Sequence, residues 1–252
     1  MEIQTSTPAR HVALVTIANQ PRRNAMSRAM LADLAALWDR LEADADCRAV
    51  IVTGAGDKAF SAGADISGDL SASEGTAHVI NRALLKDTPF TKPIIAAING
   101  DCVGGGIELL LSTDIRATVP EARFGLPEVK WSIYPFGGAT VKLAQQIGHV
   151  HAMDLLLTGR LVDAEFAARI NLVNVVVERD RIMPWALSLA ETIAGNSPSA
   201  VQAVKEAIST AIADYAKSRE ALEQALGDRV RSGPHFAEGI AAFRDKRRPD
   251  YS

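Results

Sequence analysis

The sequence predicts an α/β protein that becomes helical from residue 181 onward. Three observations point there. A β-branched run at residues 12–17 is followed by a turn, an amphipathic stretch and a second apolar run, the order of strand, helix and buried strand. A five-residue apolar segment at 94–98 ends at Asn99-Gly100 and leads into three consecutive glycines. Beyond residues 173–177 no strand pattern recurs, and the apolar residues return at helical spacing.

The first strand, 12–17, closes at Asn19-Gln20-Pro21, where proline removes a backbone donor. Ser27 then offers a side-chain oxygen to the open amides of a helix whose Met30, Leu31, Leu34, Leu37, Trp38 and Leu41 fall on one face. Val50-Ile51-Val52 is a buried strand stopped by Gly54-Ala55-Gly56-Asp57. Residues 67–75, holding Gly68, Ser71, Ser73 and Gly75 with little periodicity, read as a mobile surface loop and a candidate lid. A helical stretch at 77–86 precedes Lys92-Pro93 and the buried strand 94–98, and a second helix starts within Gly104-Gly105-Gly106. Residues 113–124 are strand-like, and 173–177 form the last strand. Ser197-Pro198 opens a helix with the apolar face Val201, Val204, Ile208 and Ile212. One chain cannot bury all such faces, so the expected division is a core at 1–180 and a helical oligomerisation region at 181–252.

Composition removes several classes of function. Hydrophobic residues make up 48% and charged residues 23%, the balance of an ordinary folded protein. The 27 basic and 30 acidic side chains leave a formal charge of −3, so no field for nucleic acid dominates. Cys47 and Cys102 are too few for a disulfide framework, which fits a reducing cytoplasmic compartment. No apolar run approaches the roughly 18 residues that cross a bilayer. The polar start of the chain, with Glu2, resembles neither a secretory signal nor a transit peptide. No membrane or nucleic-acid partner is expected.

Three places could carry chemistry. Residues 60–66, Phe-Ser-Ala-Gly-Ala-Asp-Ile, put small side chains after a strand and turn, where backbone can approach a ligand; alone, they read as an ordinary tight turn. The glycines at 104–106 stand at the mouth of a helix, where unpaired N–H groups and the helix dipole favour an anionic oxygen. The segment lacks the third glycine of a dinucleotide fingerprint, since Leu109 stands there, and it lacks the Lys-Ser/Thr ending of a phosphate loop. Glu108 and Glu128 are the third: each alone reads as a helix-start or turn residue, but brought to one apolar pocket they would raise each other's proton affinity, as acid–base chemistry near neutral pH requires. The five scattered histidines give no metal-ligand spacing, and no serine stands in a nucleophile elbow.

Together these segments resemble the enoyl-CoA hydratase/isomerase (crotonase) family over nearly the whole chain. The resemblance rests on residues 60–66, on Gly104-Gly105-Gly106-Ile107-Glu108, on Phe124-Gly125-Leu126-Pro127-Glu128, on Leu157-Thr158-Gly159-Arg160 and on the ending at 242–247. It implies a ClpP/crotonase-like spiral of ββα units with a C-terminal helical trimerisation region, assembled as a homotrimer or hexamer. It implies an oxyanion hole from the N–H groups of Ala64 and Gly105 for the thioester carbonyl of an acyl-CoA. Glu108 and Glu128, 20 residues apart, match the two glutamates of the family's hydratases: Glu108 as general base on water, Glu128 as proton donor to the α-carbon of a trans-2-enoyl-CoA. Arg22, Ala62, Asp65, Ile66, Phe243 and Lys246 match regions that contact coenzyme A. No metal or separate cofactor is implied, coenzyme A being part of the substrate.

Two departures accompany the resemblance. Ser67 stands where hydratases typically carry a lysine, and Phe136 precedes Gly137-Gly138 in a turn one residue shorter than the hydratase pattern. Trp131, Tyr134 and Phe136 could be core aromatics or could line the acyl pocket. The expected activity is enoyl-CoA hydration. The alternatives are an isomerase, another family reaction using the same oxyanion hole, or a member that binds acyl-CoA without turnover.

Overall fold

The computed structural model describes residues 1–65 and 76–252. The expected lid at 67–75, the departure at Ser67 and the candidate contact Ile66 lie outside the described residues. Two sheets form the body of the protein. The larger has the order β1 (Glu2–Ala9), β2 (Val12–Ala18), β3 (Ala49–Gly54), β5 (Ile94–Ile98), β7 (Ile115–Thr118), β10 (Val175–Val176). The smaller has the order β4 (Ala59–Ser61), β6 (Asp101–Val103), β8 (Arg123–Gly125), β9 (Val162–Asp163). The chain alternates between them: β3 leads to β4, β5 to β6 and β7 to β8, with α2 (Thr76–Ala83) and α3 (Gly105–Leu110) between successive pairs. Each ββα passage advances one strand along both sheets, and the result is a spiral with parallel pairing at its centre.

The residues explain why β3 and β5 are central. Both are buried along their whole length, and a strand covered on both faces reads as continuous Val, Ile and Ala rather than as alternation. α1 (Arg28–Ala43) begins at Ser27, whose hydroxyl accepts from Met30 N at 3.2 Å, and buries Met30, Leu31, Leu34, Leu37 and Trp38. Two expectations change on folding. The strand-like stretch 113–124 divides into β7 and β8 in different sheets, the step that turns a run into a corner of the spiral. The polar start of the chain is β1, paired antiparallel with β2 from Glu2 opposite Ala18 to Ala9 opposite Val12. Its side chains are almost all exposed, so it carries no burial pattern to read.

After β8 the chain passes through α4 (Ala139–Ile147), α5 (His149–Thr158) and α6 (Ala164–Arg169), then into α7 (Ile182–Gly195), α8 (Pro198–Arg231) and α9 (Phe236–Arg244). α8 starts at Pro198 with Ser197 as its N-cap. Its buried residues are Ala213, Ala216, Glu223 and Gly227, whereas Val204 and Ile208 of the expected apolar face are exposed on this chain. Among the described residues no helix is long and apolar enough to cross a membrane.

Candidate active site

The two small-residue segments meet. Residues 62–65 run beside 23–26: Ala62 N donates to Arg23 O at 2.9 Å, Met26 N to Gly63 O at 2.7 Å and Asp65 N to Met26 O at 2.9 Å. In this parallel bridge Met26 bonds to residues 63 and 65, which leaves the N–H of Ala64 directed to the other side. On that side is the start of α3, where Ala64 N lies 3.3 Å from the position a Cβ of Gly105 would take. Gly105 is the first residue of α3, so its own N–H has no partner within the helix. Neither amide meets a backbone acceptor among the described residues.

Glu108 is buried on the single turn and a half of α3. The backbone packs closely on its carboxylate at the start of α4, where the N–H groups of Gly137 and Ala139 favour its ionised form. Burial pushes its proton affinity up; the two N–H groups and the Lys86 charge oppose the rise, and the Glu223 charge adds to it. Glu128 stands in the short 3-10 turn Pro127–Trp131 that follows β8. Burial raises its proton affinity too, and the Glu108 charge raises it further, so the two side chains feel each other directly. Glu108 Oε1 and Glu128 Oε2 are both buried with no hydrogen-bond partner among the described residues. Two unpaired carboxyl oxygens in one region invite a shared polar molecule between them.

Glycine makes room for both acids. A Cβ on Gly104, whose φ is +58°, would stand 3.0 Å from Glu128 Oε1. A Cβ on Gly137 would collide with Glu108 Oε2 and Leu84 Cδ1. The Gly137-Gly138 turn, noted in the sequence only as a departure, therefore supplies the space for Glu108. Lys86, in the bend after α2, gave no local signal. Glu223 sits on the small-residue face of α8 with Ala213, Ala216 and Gly227, a mismatch that would have marked it.

Arg22, Phe243 and Lys246 come together in one cleft of about 1550 Å³, lined also by Trp131 and Tyr251. Trp131 and Phe243 meet edge to face with ring centroids 5.3 Å apart, and Tyr251 donates to Lys130 O at 2.9 Å. Trp131 thus ends the turn that carries Glu128 and forms a wall of this basic cleft. Ala62 and Asp65 lie on the strip beside residues 23–26, next to Arg22 in the chain.

A family model described as enoyl-CoA hydratase/isomerase matches residues 8–252. The chain belongs to the enoyl-CoA hydratase/isomerase family. It is 37% identical over 248 residues to an enoyl-CoA hydratase of Mycobacterium tuberculosis, covering 96% of this chain and 93% of that one. It is 36% identical over 241 residues to a short-chain-enoyl-CoA hydratase of Clostridium acetobutylicum, covering 94% and 92%. The crystal structure of an enoyl-CoA hydratase/isomerase from Pseudoalteromonas atlantica superposes with a TM-score of 0.90 at 28% identity, covering 99% of each chain. The spiral of ββα units with its helical C-terminal region is the crotonase fold, and membership of this family implies an acyl-CoA substrate.

Proposed function

We propose that this enoyl-CoA hydratase/isomerase family member is a hydratase, which adds water to a trans-2-enoyl-CoA to give a 3-hydroxyacyl-CoA. The observation that carries the reading is the unequal setting of two neighbouring carboxyls. Glu108 has two amide donors and a nearby ammonium that favour its ionised form. Glu128 has only its own backbone N–H to favour its ionised form, against burial and a negative neighbour that favour the protonated one. Glu108 is then the general base that takes a proton from water as the hydroxyl bonds to C3, and Glu128 is the acid that delivers a proton to C2. Between these events the electron pair of the double bond moves onto the thioester, whose oxygen gains charge beside the Ala64 and Gly105 amides. Removing one such donor costs about 3 kcal/mol of barrier in comparable sites. The thioester itself activates C3, so we assign no metal and no cofactor apart from the coenzyme A carried by the substrate.

The basic cleft at Arg22, Phe243 and Lys246 is the proposed seat of coenzyme A, with Ala62 and Asp65 beside it. Val204 and Ile208, exposed at 65% and 63% on α8, support assembly into a homotrimer or hexamer. The discriminating experiment is turnover of a short trans-2-enoyl-CoA in ¹⁸O-labelled water. Hydration puts one ¹⁸O in the product; a shifted double bond without ¹⁸O would make the chain an isomerase, and tight binding without any product would make it a binding member.

A further inference from the structure

Lys86 and Glu223 form an ion pair at 3.0 Å with side chains only 1% and 5% exposed. Taking two charges out of water is costly, and an apolar pair of similar volume would avoid the cost. The proposed reaction assigns neither residue a step. What both reach is the segment that holds Glu108. The Lys86 stem lies against Gly138, where a Cβ would come within 3.2 Å of its Cγ. Glu223, from α8, accepts a hydrogen bond from the hydroxyl of Thr140, which in turn accepts from the Tyr134 hydroxyl at 3.4 Å. Residues 137–140 are therefore gripped from two elements distant in sequence, and this turn packs on Glu108, since a Cβ on Gly137 would collide with Glu108 Oε2; its Gly137 and Ala139 N–H groups favour the Glu108 carboxylate.

We propose that Lys86 and Glu223 are positioning residues that fix the 137–140 turn behind Glu108 and balance its charge. This rests on the reading of Glu108 as general base. The groups facing Glu108 are Lys86, Glu223, Glu128 and Lys142. Glu220 is bonded to Lys86 at 2.7 Å, and Tyr134 and Arg219 lie on the Glu223 side. Lys142 is turned away, donating to Leu85 O at 2.5 Å and Ser112 Oγ at 2.9 Å, and burial lowers it to about 7. The two members of the pair act on Glu108 in opposite senses: Lys86 favours its carboxylate and Glu223 disfavours it.

The test is a pH titration of the ¹³C-labelled glutamate carboxyl carbons by NMR, with Glu108→Gln assigning the Glu108 signal. The pH profile of kcat/KM on a short trans-2-enoyl-CoA is measured alongside. Glu223→Gln keeps an acceptor for Thr140 and leaves Glu220 on Lys86; it should move the Glu108 midpoint and the acid limb of the rate to lower pH. The displacement should be on the order of half a pH unit to one unit. Lys86→Met should move both to higher pH, and the double variant should return near the starting value. An unmoved midpoint in Glu223→Gln, or one displaced upward, overturns the inference, and this arm decides alone where Lys86→Met does not fold. If the unaltered protein adds no water to the thioester, the hydratase reading fails, while the NMR titration still decides whether the pair governs Glu108.

Discussion

Glu108 and Glu128 carry the same side chain into one region of the molecule, and their surroundings divide them. Glu108 comes from a helix in the interior and meets a second helix start, so it receives two N–H groups and an ammonium field. Glu128 comes from a short turn at the end of the smaller sheet, and the charge it meets is Glu108 itself. Burial raises both. Glu108 is given more of the means to stay ionised, two N–H groups and an ammonium against one N–H for Glu128. In the proposed reaction the two carboxyls acquire different tasks through backbone donors and neighbouring charges rather than through chemistry of their own.

The largest effect should come from erasing the difference. Glu108→Gln and Glu128→Gln are each expected to lower kcat for enoyl hydration by about 10²- to 10⁴-fold, measured as appearance of the 3-hydroxyacyl product. Loss in one variant alone would break the division of labour. Before either substitution, the raised proton affinities should place the acid limb of the rate above the ordinary glutamate range if Glu108 is the proposed base, and the basic limb should follow ionisation of Glu128, the proposed acid.

Displacing one acid without removing it sharpens the contrast. Gly137→Ala puts a methyl where Glu108 Oε2 and Leu84 Cδ1 already stand, and should cost about 100-fold in kcat. Gly104→Ala presses on Glu128 instead, 3.0 Å from Oε1, with added backbone strain at φ +58°. The first should disturb the acid limb of the pH profile and the second the basic limb.

The same comparison has a stability side. A carboxyl whose folded proton affinity is raised stabilises the fold below its unfolded value, and that contribution is lost as pH rises through the raised folded value. Glu128→Gln cannot ionise, so it should match the unaltered protein in acid and exceed it by about 1–2 kcal/mol at alkaline pH in denaturant titrations. Equal stability at both ends would show that Glu128 is no more costly buried than in water. The smallest effect is expected at the basic cleft. Lys246→Ala should raise KM for the thioester by a few-fold at low salt and leave kcat unchanged, with the gap closing as ionic strength rises.

Much of this molecule was legible in residues 12–128, where spacing and burial coincide. The uniform apolar runs of β3 and β5 could only be covered strands, and Ser27 with the stripe from Met30 to Trp38 could only be a capped, one-sided helix. The glycines at 104–106 and the small residues at 62–65 marked two backbones able to approach closely. Each was ambiguous alone, and the resemblance to a known family supplied their common purpose. β1 was not legible, because an exposed edge strand has no inward face to impose alternation. The division of 113–124 between two sheets was not legible either, since a corner of the spiral leaves the residues on both sides of it equally buried.

By itself, the sequence determined most of the buried strands and the one-sided helices, where backbone lies bare of side chains, and which acids stand near those places, because these follow from local spacing and residue type. Only the tertiary structure decided that the amides of Gly137 and Ala139 serve Glu108, that a buried Lys86 and Glu223 stand behind them, and that Arg22 shares a cleft with Phe243 and Lys246. Those pairings join residues far apart along the chain. Their strength depends on burial and distance, which no stretch of sequence carries until the spiral closes.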